Sequence, residues 1–287
     1  KSGVADRAAS SADWPAFSIL FILVVIAQVA IRIEEADRDE PSTGGGRTEH
    51  GAGVTNAIFN PFPVRSNMDI DGPHRPLLVE WYDQYLVDRD AAGFIRHVSR
   101  KYAVGTLERL ASSGRAATRR AAVLGLGHLA DYRSNAVVGR ALADTDRGVR
   151  TLAEAAVERI WVRVGTPSEQ RRLAGINEQL EEHEFLRASE LAGKLIQQSP
   201  WIAHAWYQRG LAYFHLGQFE AAVPHCHQAI GINAYQFQAD ATMGQAYLAQ
   251  NNLIAALESF RRTLRLNPSM EEVRAQVIRL QRTLKKE

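Results

Sequence analysis

One feature constrains this chain above all others: a recurrence every 34 residues in its C-terminal part. Ala188, Ala222 and Ala256 share one position of that period, and Phe185, Phe219 and Leu253 stand three residues before them. Gly210 and Gly244 recur at the same spacing, as do Tyr213 and Tyr247, while Pro200 and Pro268 lie two periods apart. A period of this length accommodates two helices and their turns. One such pair cannot bury its apolar face alone, so successive pairs must stack. The alanines mark where the helices of a pair touch, and the prolines mark where the second helix stops. The expected fold is all-α.

Trp206-Tyr207-Gln208-Arg209-Gly210-Leu211-Ala212-Tyr213 is close to the W-x-x-L-G-x-x-Y pattern, with Arg209 in the leucine place. On these residues the segments 169–202, 203–236 and 237–270 resemble tetratricopeptide repeats. The first departs from the pattern, with Arg172 and Ile176 where Trp and Gly are expected. Thr166-Pro167-Ser168-Glu169 reads as the opening of this part. It supplies an N-cap Thr, a Pro at the first helical position and a Glu that completes a capping box. Ser269-Met270-Glu271-Glu272 reads as a second capping box. It opens an amphipathic helix over 271–287 that covers the last repeat, with Arg274, Arg279, Arg282, Lys285 and Lys286 on its outer face.

A different period precedes the junction at 166. Residues 114–129 align with 145–160 at a spacing of 31, pairing Arg119 with Arg150, Ala122 with Ala153, Gly125 with Ala156 and Leu129 with Ile160. The preceding helices follow, Leu107 opposite Val138 and Ala111 opposite Leu142. This segment, about 76–165, resembles HEAT repeats, in which an acidic turn leads into Val-Arg; Asp146-Arg147-Gly148-Val149-Arg150 has that form. A third, divergent pair is expected over Leu77 to Val98. Asp144 and Asp146 read as caps paired with Arg147 or Arg150, since Gly148 and Ala155 break a calcium-loop pattern. The whole is an α–α superhelix of HEAT-like pairs followed by tetratricopeptide-like pairs and a capping helix.

The front of the chain differs in kind. Trp14 to Ile33 is apolar apart from Ser18, Gln28 and Arg32. Twenty residues at ~1.5 Å each span roughly 30 Å, the hydrocarbon thickness of a bilayer. A single transmembrane anchor is the expectation, with a cleaved secretory signal or a buried element as alternatives. Basic residues on both sides decide its orientation weakly; the reading places the repeats outside the cytoplasm, or in a secreted or periplasmic product if the segment is cleaved. Residues 34–75, with Gly44-Gly45-Gly46, read as a flexible tether.

Function is read mainly from what the sequence lacks. It has no phosphate loop, dinucleotide turn, His-Glu-x-x-His or nucleophile elbow, so neither an enzyme, a cofactor nor a small-molecule substrate is expected. His215, His225 and His227 surround Cys226, but neighbours on a helix do not share a face. They read as a core thiol among surface histidines, with no metal. The tetratricopeptide resemblance implies a concave groove lined by first helices. In the second repeat it assigns His204, Tyr207, Gln208, Leu211, Phe214 and His215 to partner binding; in the third it assigns Gln238 and Gln245, with Ala241, Thr242 and Leu248 beside them. The family's carboxylate clamp of Lys, Asn and Arg is not matched: Gln208, Thr242, His215 and Ala249 hold those places. A protein partner, such as a subunit of a membrane complex, is therefore expected in place of an acidic tail. The alternative follows from nine arginines against five acids between Arg115 and Arg163: nucleic acid, or an anionic membrane surface, held by the HEAT-like segment.

Overall fold

The computed structural model describes residues 76–112 and 114–285, and every regular α-element there is a helix, thirteen in all. The predicted anchor at 14–33 and tether at 34–75 lie outside the described residues. Among the described residues no helix is long and apolar enough to cross a membrane.

The first block contains α1 (Leu77–Asp88), α2 (Ala91–Lys101), α3 (Val104–Ala111), α4 (Ala116–Leu129), a 3-10 turn (Tyr132–Ser134), α5 (Asn135–Ala141) and α6 (Arg147–Trp161). Helices α3/α4 and α5/α6 pair as the 31-residue spacing predicts, and α4 also packs on α6. Leu107, Val138, Leu142, Ala122 and Ala153 are fully buried. Gly125 and Gly127 explain how close the helices come. A Cβ on Gly125 would lie 3.3 Å from Leu107, and one on Gly127 would lie 2.9 Å from the Cβ of Ala156. The divergent first pair is present as α1/α2, turned through Arg89 at φ 59° and capped by Asp90, which accepts from the Gly93 N–H at 2.8 Å.

The acids of the α5–α6 turn take other partners than the sequence suggested. Asp146 caps α6 by accepting from the Val149 N–H at 2.8 Å, but its ion pair is with Arg120 at 2.7 Å, and Asp144 pairs with Arg119 at 2.8 Å. Both arginines come from α4. They lie 25 and 26 residues before their acids, and stacking brings them over the turn. Arg150 instead donates to the carbonyls of Asp144 and Thr145.

The second block stacks α7 (Pro167–Glu181) on α8 (Phe185–Gln198), α9 (Ala203–His215) on α10 (Phe219–Ile232) and α11 (Phe237–Ala249) on α12 (Leu253–Leu266), closed by α13 (Glu271–Thr283). The capping box at Thr166 forms as predicted, the Thr166 N–H donating to Glu169 Oε2 at 2.6 Å and Thr166 Oγ1 accepting from the Glu169 N–H at 3.3 Å. The second predicted box does not form. Met270 is the N-cap of α13 without a side-chain cap, because the Ser269 hydroxyl accepts from Arg150 Nε at 2.9 Å. Turns between paired helices repeat as well: His183, Gly217 and Asn251 stand 34 residues apart, with φ of 61°, 73° and 58°. Helix α9 touches both α7 and α11, so the first helices line up in one inner layer. That layer is the wall of a groove.

Candidate functional site

The inner layer is made where each pair closes tightly. A Cβ on Gly210 would lie 2.6 Å from Cys226 Sγ, and one on Gly244 would lie 2.5 Å from the Phe260 ring. Cys226 is therefore core, fully buried with its thiol raised to about 12 by burial. His225 is not a simple surface group. Its ring packs near those of Trp206 and Tyr213, and Nδ1 contacts the Ala221 carbonyl at 2.8 Å. Among the described residues no three His, Cys, Asp or Glu side chains are grouped to hold a metal ion.

Of the eight residues assigned to partner binding, six come together around one shallow, open-mouthed pocket: Tyr207, Leu211, Phe214 and His215 from α9, Gln238 and Gln245 from α11. Ala241 and Thr242 complete the α11 wall, and Met270, which the sequence reading missed, closes one side from the turn before α13. No Lys or Arg is among the lining residues. His215 stacks on Phe185 with ring centroids 4.6 Å apart, and burial together with His183 lowers its pKa. Tyr207 is buried, and Thr242 lines the pocket beside it. A floor of rings, methyls and amides without fixed charge suits an apolar side chain better than a carboxylate.

The other two assigned residues are elsewhere. Gln208 is buried in the layer itself, its Nε2 donating to the Leu173 carbonyl at 3.3 Å. His204 is covered by the first block. Its ring lies 6.2 Å from that of Trp161, and burial lowers its pKa to about 4. Leu248 belongs to the apolar cluster around α13.

The sequence left open that groove residues would pack against the preceding HEAT-like segment, and along this edge they do. Helix α6 lies along the starts of α9 and α11 and the turn before α13. Trp161 is 5.9 Å ring to ring from Phe237, Glu158 accepts from Gln238 Nε2 at 2.7 Å, and Arg150 reaches Ser269. Trp161 Nε1 donates to Asn135 at 2.7 Å, and Asn135 Nδ2 donates to Asn233 at 2.9 Å. Gly139 lets α5 press against Tyr235, where a Cβ would lie 2.4 Å from the ring. The sequence did contain one signal. Glu158 falls opposite Gly127 in the 31-residue alignment and sits between Val157 and Ile160, a carboxylate beside an apolar stripe.

The arginines of the first block are mostly engaged. Arg119 and Arg120 hold the turn acids; Arg150 serves carbonyls and Ser269; Arg159 contacts His128 at 3.0 Å; Arg163 donates to the carbonyls of Gly127 and His128.

Residues 203–234 match the family model described as tetratricopeptide repeat, and this stretch of the chain is such a repeat. A solved chain from "TPR2AB-domain:pHSP90-complex of yeast Sti1" is similar, with a TM-score of 0.38 and 15% identity over 71% of this chain and 97% of that one. No curated protein matches the chain. The all-helical repeat architecture is that of protein-interaction scaffolds.

Proposed function

We propose that this protein is a non-catalytic scaffold that presents the open end of its tetratricopeptide groove to a protein partner, with residues 14–33 holding it at a membrane. The observation that carries the reading is the pocket, in which six residues chosen from sequence converge on an apolar, uncharged floor. Such a floor accepts a bulky apolar side chain of an extended or helical segment and offers a carboxylate nothing to pair with. The membrane part rests on the length and apolarity of 14–33, and it makes another subunit of a membrane complex the natural partner. The repeats then lie outside the cytoplasm.

The test uses the full chain purified from solubilised membranes with its bound proteins identified and quantified. Phe214→Ala and Gln245→Lys both change part-exposed lining residues. Each should deplete the specific partner at least about tenfold, the scale of a lost interface anchor. Unchanged recovery in both variants would sink the groove reading. Protease digestion of intact cells, followed by detection of the C-terminus, tests orientation: protection from external protease would contradict repeats outside the cytoplasm.

A further inference from the structure

The pocket is a trough with two walls of equal length. From Tyr207 to Phe214 on α9, and from Gln238 to Gln245 on α11, the chain advances about 10 Å along each helix. No Lys, Arg, Asp or Glu is among the lining residues. The trough therefore suits an occupant that is apolar and uncharged over a comparable length.

The chain itself holds such a stretch before its first helix. From Gly51 to Val64 no residue is charged, and Phe59 and Phe62 are the only Phe, Tyr or Trp between positions 34 and 75. Pro61 and Pro63 fix φ at their own positions and disfavour helix at Asn60 and Phe62 before them. In the extended threefold backbone that proline-rich ligands adopt when they dock, residues three apart share one side and lie roughly 9 Å from each other. Two rings at that separation fill a trough of about 10 Å.

Reach decides whether the same molecule can supply them. Pro63 lies 13 residues before Pro76. A chain of that length extends to at most about 45 Å. Helix α1 packs on α4 and α4 on α6, and α6 meets α11 through Trp161 with Phe237 and Glu158 with Gln238. Three steps of ~8–10 Å between helix axes come to about 30 Å, within that reach. A connection this short holds the segment at roughly millimolar effective concentration, so weak contacts suffice to keep it seated.

We propose, resting on the pocket as the binding site, that its resident occupant is residues 58–63 of this same chain, with Phe59 and Phe62 seated between α9 and α11. Gln245 is part-exposed in the lining and supplies a donor to a carbonyl of the segment. A partner then enters only by displacing the segment, and its apparent affinity falls by the fraction of pockets already filled.

Disulfide trapping in the full chain, purified alone in detergent, tests this. The one natural cysteine, Cys226, is buried and does not compete. Asn60→Cys places a thiol between the two rings, and Gln245→Cys places one in the lining. Under mild oxidation this pair should bridge within the chain at least about tenfold faster than Asn60→Cys with Glu258→Cys, an exposed position on α12. Leu211→Cys in place of Gln245→Cys repeats the comparison from the opposite wall. Phe59→Ser with Phe62→Ser should bring both pocket pairs down to the control rate. Equal rates at pocket and control positions, bridges that form between chains, or a rate unchanged without the two rings would each overturn the proposal. Its failure leaves the pocket free for a partner and that reading intact. Conversely, a bridge that forms while Phe214→Ala and Gln245→Lys leave partner recovery unchanged removes the partner reading and keeps the intramolecular occupant.

Discussion

Gly210 and Gly217 are seven residues apart and are glycines for different reasons. At Gly210 the constraint is space, because a Cβ would meet Cys226 Sγ at 2.6 Å and the Ala222 carbonyl at 3.2 Å. At Gly217 it is backbone conformation, since φ is 73° and nothing lies within 4 Å of an added Cβ. Gly210→Ala should cost about 1–3 kcal/mol by overpacking. Gly217→Ala should cost about 1 kcal/mol, the left-handed penalty alone. Urea unfolding of both variants measures this, and Cys226→Ala should recover part of the first loss and none of the second. The same logic accounts for the irregular first repeat. Ile176 stands where Gly210 and Gly244 stand, and Ala192 stands opposite it where the others have Cys226 and Phe260. Bulk has changed sides within the pair, so its tight closure survives without the signature glycine.

Helix starts were legible where capping was local and misread where a distant group intervened. Thr166 and Glu169 satisfy each other over one turn, and nothing from elsewhere competes. Ser269 had the same local pattern, but Arg150 takes its hydroxyl from 119 residues away. The Asp146 cap formed as read, while its ionic partner, Arg120, came from α4. These two roles separate by mutation. Asp146→Ala loses the cap and the Arg120 ion pair together and should cost about 2 kcal/mol, whereas Asp146→Asn keeps the cap and should cost less. In an Arg120→Ala background the Asn substitution should become nearly neutral. A double-mutant cycle by thermal unfolding checks it, and equal Asn costs in both backgrounds would count against the pairing.

At the scale of the whole molecule, two blocks are joined along an edge with titratable groups in it, so stability should depend on pH from both sides. His204 and His128, each lowered to about 4 by burial, stay neutral in the folded chain where an unfolded one would be charged. Their contribution is complete above 6.5 and is lost as pH falls toward 4. Glu158 removes stability in the opposite direction, between 4.5 and about 8. The unfolding midpoint should therefore peak near 6.5 and fall on both sides, with a further fall above 9, where an unfolded Cys226 ionises and the buried one does not. His204→Gln should flatten the acid side and leave the alkaline side unchanged. A monotonic profile by calorimetry would contradict this assignment.

The sequence by itself determined the helices, their two periods and most of the pocket. Those follow from residue size and apolar spacing within 31 or 34 residues, where neighbours in space are neighbours in sequence. Tertiary structure decided which part of the groove is open. The cover over His204 by Trp161, the pairing of Glu158 with Gln238 and the reach of Arg150 to Ser269 join residues 43, 80 and 119 positions apart, set by how one stack packs onto the other. Such contacts leave only a faint local trace, a glutamate beside an apolar stripe, because nothing about a side chain's neighbours in sequence states which distant surface it will face.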